Sequence, residues 1–357
     1  MEAPNLVTIK GRGAAENPAN RFEPIEYVPD MDAYDPDEPP PPTMVFRDTT
    51  KKIIARNNSP DVGFEFSINP YRGCEHGCIY CYARPTHEYF GLSAGLDFET
   101  KIFAKLDAAQ LLRKELAASK WQGELIAISG VTDCYQPLER KLKITRSCLE
   151  VLLDFRNPTA LITKNHLITR DVDILSQMAE YGGVGVSVSI TSLRNEIQRV
   201  MEPRTSVPAK RLEAVEVLAK AGVPVNVMVA PVVPGLTDHE IPAILQAAKD
   251  AGAHSAGYIT LRLPYAVKEL FERWLERHFP ERKDKILNRV REMRDGKLYD
   301  PTFGVRMRGE GVFADQIEAL FDATARKLGL NERPSRLRRN SSAFRKPDTS
   351  PQLKLFQ

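Results

Sequence analysis

The sequence predicts an α/β fold in which six short parallel strands alternate with helices, arranged as an incomplete barrel or a doubly wound sheet. Three observations predict it. Short β-branched or apolar runs alternate with longer segments of helical period, the pattern of successive βαβ units. A chain of 357 residues that is 42% hydrophobic can bury one large core. A cysteine-bearing loop follows directly on the first strand, where barrel enzymes gather their chemistry at one open mouth.

The strands are expected at Phe64 to Ile68, Leu125 to Ser129, Ala160 to Thr163, Val184 to Thr191, Val225 to Val232 and Tyr258 to Leu263. Helices between them follow from apolar spacing, as in Leu106, Leu111, Leu112 and Leu116, or Leu212, Val215, Val217 and Leu218. A further helix is expected at Leu142 to Leu153, with Cys148 in its core face. Periodicity alone does not separate barrel from open sheet.

Four segments are expected. Residues 1–60 form an extension whose acidic, proline-rich run Asp30 to Pro42 cannot pack a core and reads as an arm or linker. Residues 61–280 carry the catalytic core, and 281–330 hold two charged helices around Lys283 to Arg294 and Val312 to Leu328. Residues 331–357 form a basic tail with seven Lys or Arg against Glu332 and Asp348, although the whole chain carries only +3. Such a tail is either solvated surface or a weak attractor of nucleic acid. No stretch reaches the roughly 18 apolar residues of a membrane helix, and Met1 to Arg12 lacks a signal-peptide core, so a cytoplasmic protein with no membrane partner is expected.

The text Asn69-Pro-Tyr-Arg-Gly-Cys74-Glu-His-Gly-Cys78-Ile-Tyr-Cys81-Tyr82 sets three cysteines at spacings of three and two intervening residues. A reducing cytosol favours metal-binding thiolates over disulfides. Three soft thiolates suit an iron-sulfur cluster with one iron left open to an outside ligand. A structural zinc is the alternative, with His76 or His87 as a fourth ligand.

This motif, with aromatic Tyr80 just before the last cysteine, resembles the signature of the radical S-adenosylmethionine (SAM) superfamily. The resemblance implies a partial six-stranded (β/α)6 TIM-like barrel and a [4Fe-4S] cluster on Cys74, Cys78 and Cys81. SAM would chelate the open iron, and its reductive cleavage to a 5′-deoxyadenosyl radical would abstract hydrogen from a substrate. A reductase or flavodoxin-type protein would supply the electron. The stretches Cys78 to Tyr82, Gly130 to Asp133, Thr163 to His166, Val186 to Thr191, Glu202 to Ser206 with Lys210 to Glu213, and Val229 to Pro231 resemble the branch that includes spore photoproduct lyase, across roughly residues 64 to 265.

That likeness implies SAM contacts from Lys164 and Ser189, with Tyr80 and Tyr82 packing close by. A lysine at a strand end can pair with the SAM carboxylate, or it is a solvated end-of-strand lysine. Ser187 and Ser189 share one face of their strand, since side chains alternate. Thr132 and Asp133, on the loop after the second strand with Glu139, either bind the cofactor or cap a turn. Arg204 either grips an anionic group or pairs with Glu202.

The branch also implies a cysteine that returns hydrogen to the substrate radical. Gly130 stands at the nearest position, so Cys134, four residues on, is the catalytic candidate, or else an ordinary buried cysteine. The substrate implied is nucleic acid, in DNA repair or modification. A metal-stabilised nucleic-acid-binding or adaptor protein without turnover is the alternative. The C-terminal Gln352 to Phe356 resembles the peptide by which bacterial repair proteins dock on the sliding clamp, or else it folds back as a terminal plug.

Overall fold

The computed structural model describes residues 8–23, 41–332 and 341–347. Its strands are β1 (Met44–Arg47), β2 (Ile54–Arg56), β3 (Phe66–Ile68), β4 (Tyr71–Arg72), β5 (Lys101–Ala104), β6 (Ile126–Ile128), β7 (Thr159–Thr163), β8 (Val184–Ser189), β9 (Val225–Val232) and β10 (Ser255–Thr260). The main sheet runs β10-β9-β8-β7-β6-β3-β2. Its first six members are parallel, and β2 closes the edge antiparallel to β3. These six are the strands expected from sequence.

One of them is displaced. β10 begins three residues before the expected start and ends at Thr260, because Ser255, Ala256 and Gly257 pair with Asn226, Val227 and Met228. Their own preference for extended structure is weak, so pairing with β9 rather than propensity decides the strand. The Thr260 N–H turns to the Met307 carbonyl, while the Leu261 N–H keeps its bond to the Val232 carbonyl.

Helices fill every crossover and bury one apolar stripe each against the sheet. Leu112 and Leu116, Leu149 and Leu152, Leu175 and Met178, Val215 and Leu218, and Ile244 and Leu245 are all buried in one continuous core. Each such side chain contributes about 1.5–3 kcal/mol. Cys148 lies in this core, on the helix Ile144–Asp154, as expected.

The described parts of the N-terminal extension pack on the core. β1 pairs with β5, and β5 with β4, in a small second sheet. Residues 8–23 reach the cysteine loop, where Gly13 and Ala14 donate backbone N–H groups to the Glu99 carboxylate at 3.0 and 2.8 Å. A side chain at Gly13 would collide with the Gly77 carbonyl, so only glycine lets the two backbones touch. Most of the acidic run lies outside the described residues, as do Gln352 to Phe356. At the opposite end of the strands, Phe344 covers Gly123 and the Arg345 N–H bonds the Phe155 carbonyl.

Candidate active site

The cysteine loop leaves β3 and is held open by its own backbone and by one arginine. Gly73 and Gly77 take positive φ of 78° and 65°, a conformation that costs glycine little. Buried Arg84 satisfies all five of its donors there. It donates to the carbonyls of Gly77, Cys78, Ala94 and Gly95 and pairs with Glu99. That planar fork fixes the loop as a lysine would not.

Cys74, Cys78 and Cys81 line one cavity of about 270 Å³ at the C-terminal ends of the parallel strands, together with Tyr80, Tyr82, Thr132, Asp133, Lys164, Ser187 and Ser189. Burial pushes the Cys81 thiol up to about 11, with Cys74 adding to the effect, so a thiolate there needs a cation beside it. Among the described residues, no three His, Cys, Asp or Glu side chains converge on a single metal-ion position. Three thiols lining one cavity are the soft donor set that an iron-sulfur cluster with one open iron would take. His76 lines the cavity too, but its ring nitrogens face Asn165 and Asp133, at 3.1 and 3.4 Å. His87 bonds the Lys101 carbonyl beneath the loop.

Lys164 stands at the end of β7, where its Nζ donates to the Ala230 carbonyl at 2.9 Å and lies 3.4 Å from Glu202 Oε1. Glu202 also accepts from Tyr80, Thr191 and Arg211. Burial opposes its charge, yet Arg211 and Lys164, helped by Tyr80 and Thr191, hold its carboxyl down at about 2. The sequence shows none of this, since Tyr80 and Glu202 are 122 residues apart.

Ser189 is buried, and its hydroxyl has no hydrogen-bond partner among the described residues, whereas Ser187 accepts from Asn226. Thr132 donates to the Gly73 carbonyl and accepts from Gln136. Asp133 is filled from the protein side. Its two oxygens take the N–H groups of Tyr135 and Lys164 and the Thr163 hydroxyl, all at 2.8 Å, beside His76. It is thus a turn residue that positions Lys164. Tyr82 is half exposed, and its hydroxyl donates to the Gly130 carbonyl.

Two candidates are not brought to the cavity. Cys134 is fully buried in the core behind it, because the turn that aims Asp133 at the mouth sends the next side chain inward. The proposed hydrogen-return position is therefore corrected to a packing one. Arg204 pairs with Glu75 at 3.2 Å and not with Glu202, whose oxygen is already taken by Arg211. Conversely, Arg262, inside the run expected as the sixth strand, does line the cavity, with its guanidinium 5.0 Å from the centre of the Tyr82 ring. Its charge within an apolar run was the available signal.

Comparison with known proteins agrees with this geometry. An uncharacterised protein of Mycobacterium tuberculosis is 34% identical over 254 residues, 70% of this chain and 74% of its own. One from Methanocaldococcus jannaschii is 26% identical over 240 residues, 67% and 85% of the two chains. Two structures of spore photoproduct lyase share the fold at a TM-score of 0.58 and 18% identity, over 80% of each chain. One is complexed with dinucleoside spore photoproduct, and the other is a variant with bound AdoMet and the same dinucleoside. The family model described as the radical SAM superfamily matches residues 68–248, and with three cysteines of one loop facing a cavity at the strand ends, the chain belongs to the radical SAM superfamily as an enzyme of that class.

Proposed function

We propose that this enzyme cleaves SAM reductively on a [4Fe-4S] cluster held by Cys74, Cys78 and Cys81, and that its substrate is nucleic acid. The observation that carries the reading is the shared cavity, in which three thiols, the Lys164 ammonium and the unpartnered Ser189 hydroxyl converge. When bound, the cluster supplies the electron that splits the C–S bond of SAM and so generates the hydrogen-abstracting species.

The chain's own residues bind and orient. Lys164 is aimed by its backbone bond to Asp133 and by the Ala230 carbonyl, so its ammonium is held ready for a carboxylate. Ser189 offers a donor and an acceptor without breaking any bond of its own. Tyr80 is pinned by Glu202, which keeps its ring against the Lys164 ammonium, 5.8 Å from the ring centre. Reconstituted under anaerobic conditions, the protein should bind close to four iron and four sulfide. Its Cys74→Ala variant should lose the brown absorption; retention of full iron by that variant would contradict the ligand set.

The nucleic-acid reading is supported by the dinucleoside ligand of the structural relatives. Gln352 to Phe356 suggest docking on a sliding clamp, with Leu355 and Phe356 filling an apolar pocket. Calorimetric titration of a peptide from Arg345 to Gln357 into a bacterial clamp should show micromolar binding that the Leu355→Ala, Phe356→Ala variant loses; no binding would remove this partner. A reductase or flavodoxin-type protein is the proposed electron donor.

A further inference from the structure

Among the described residues Arg262 forms no ion pair: Asp61, the carboxylate whose charge it feels, is bound directly by Arg306. The Arg262 Nε is buried and has no hydrogen-bond partner, and Nη1 reaches only the Met307 thioether at 3.3 Å. Other charged groups near the mouth are matched. Lys164 and Arg211 share Glu202, Arg204 has Glu75, and Arg306 has Asp61. Arg294 is satisfied by Thr260 and by the carbonyls of Leu261 and Val305. A buried Nε–H without an acceptor is costly unless an oxygen from outside the protein completes it.

One combination, an exposed aromatic ring under an arginine, recurs at Tyr82 in the cavity wall, at Phe303 in the segment leading to Met307, which Arg262 touches, and at Tyr265 three residues on from Arg262. Tyr82 is 49% exposed beneath Arg262, Phe303 is 54% exposed 4.4 Å from the Arg306 guanidinium, and Tyr265 is 55% exposed 3.7 Å from that of Arg21. Arg21 also lies 4.9 Å from the ring of Phe22, which stacks on exposed Tyr89 at 4.9 Å. A small carboxylate metabolite needs one cation and no such series. A single strand of nucleic acid presents phosphates and base faces in alternation, which aromatic rings interleaved with cations match.

We infer that Arg262 anchors a phosphodiester of single-stranded nucleic acid at the mouth, with Tyr82, Phe303 and Tyr265 as the platforms on which neighbouring bases stack. The strand would lie along the rim and send one nucleotide into the cavity toward the cysteine loop. This rests on the reading of that cavity as the radical SAM site and adds the element that recognises the substrate.

The test uses cluster-loaded full-length protein and fluorescein-labelled 12-nucleotide DNA and RNA strands, their duplexes and SAM, each titrated in several salt concentrations. The parent should bind single strands more tightly than duplexes. Arg262→Gln should lose about tenfold in strand affinity, more than any change in SAM affinity, and its salt slope should fall by about 0.7, the value of one phosphate contact on a single strand. Arg262→Lys should recover part of the loss, and Phe303→Ala should weaken binding about fivefold without changing the slope. An Arg262→Gln variant whose SAM affinity falls as much as its strand affinity would give Arg262 to the cofactor and overturn the inference. So would an unchanged salt slope, a Phe303→Ala variant that binds like the parent, or a parent that cleaves SAM but binds no single strand. A parent without cluster or SAM cleavage would instead sink the enzymatic reading itself.

Discussion

Glu202 lies between Arg211, which pairs with its Oε2, and Lys164, whose ammonium stands 3.4 Å from its Oε1. One buried carboxylate thus serves two cations from different elements. It ties the helix Pro208–Lys220 to the cavity wall and fixes Tyr80 through its hydroxyl.

Replacing that carboxylate should be expensive for the fold. Glu202→Gln leaves the Arg211 guanidinium, 1% exposed, with no opposite charge, at a cost of about 3–5 kcal/mol. Urea unfolding measures it. The double variant Glu202→Gln, Arg211→Met should recover part of the loss, since it removes the stranded charge. A loss under about 1 kcal/mol in the single variant would show that the hub does not act as one unit.

Lys164→Ala should weaken SAM binding about ten- to a hundredfold, the worth of a charge-assisted hydrogen bond of roughly 1.5–3 kcal/mol. Glu202 keeps Arg211, so the wall should stand and the iron content should match the parent. Equal SAM dissociation constants for the two proteins would remove Lys164 from the ligand set.

His87 gives the fold a defined acid sensitivity. Burial between Phe90, Phe98 and Phe103 lowers its pKa to about 4, against the opposing bond to the Lys101 carbonyl. The folded value lies below the ordinary 6.5, so the unfolded chain takes the proton first. The stability held above about pH 6.5 is therefore lost as pH falls toward 4, by about 3 kcal/mol in all. His87→Phe lacks the titration but leaves the Lys101 carbonyl without its donor, so it should be less stable at pH 7.5 and close that gap by pH 5. Parallel pH profiles in thermal melts would contradict the assignment.

What the sequence disclosed is what local pattern encodes. Val184 to Ser189 and Val225 to Val232 read as strands because β-branched residues dominate them, and the cysteine spacing survives any fold. Ser255 to Gly257 did not read as strand, since their pairing with β9 is set by the neighbour rather than by their own preference. Arg84, Glu99, Glu202 and Arg211 form the frame of the site, yet each acts through partners that only folding brings near. Asp133 and Cys134 show the opposite limit. Adjacent in sequence, they part in space because a turn places one at the mouth and the other in the core.

The central claim is that three thiols of one loop turn this cavity into a site for reductive SAM cleavage. Quantifying 5′-deoxyadenosine and methionine formed from SAM, with dithionite as reductant and cluster-loaded protein under anaerobic conditions, tests it most directly. The account predicts both products from the parent in equal amounts, and neither from the variant in which Cys74, Cys78 and Cys81 are all Ala. Undiminished product formation by that triple variant would contradict it.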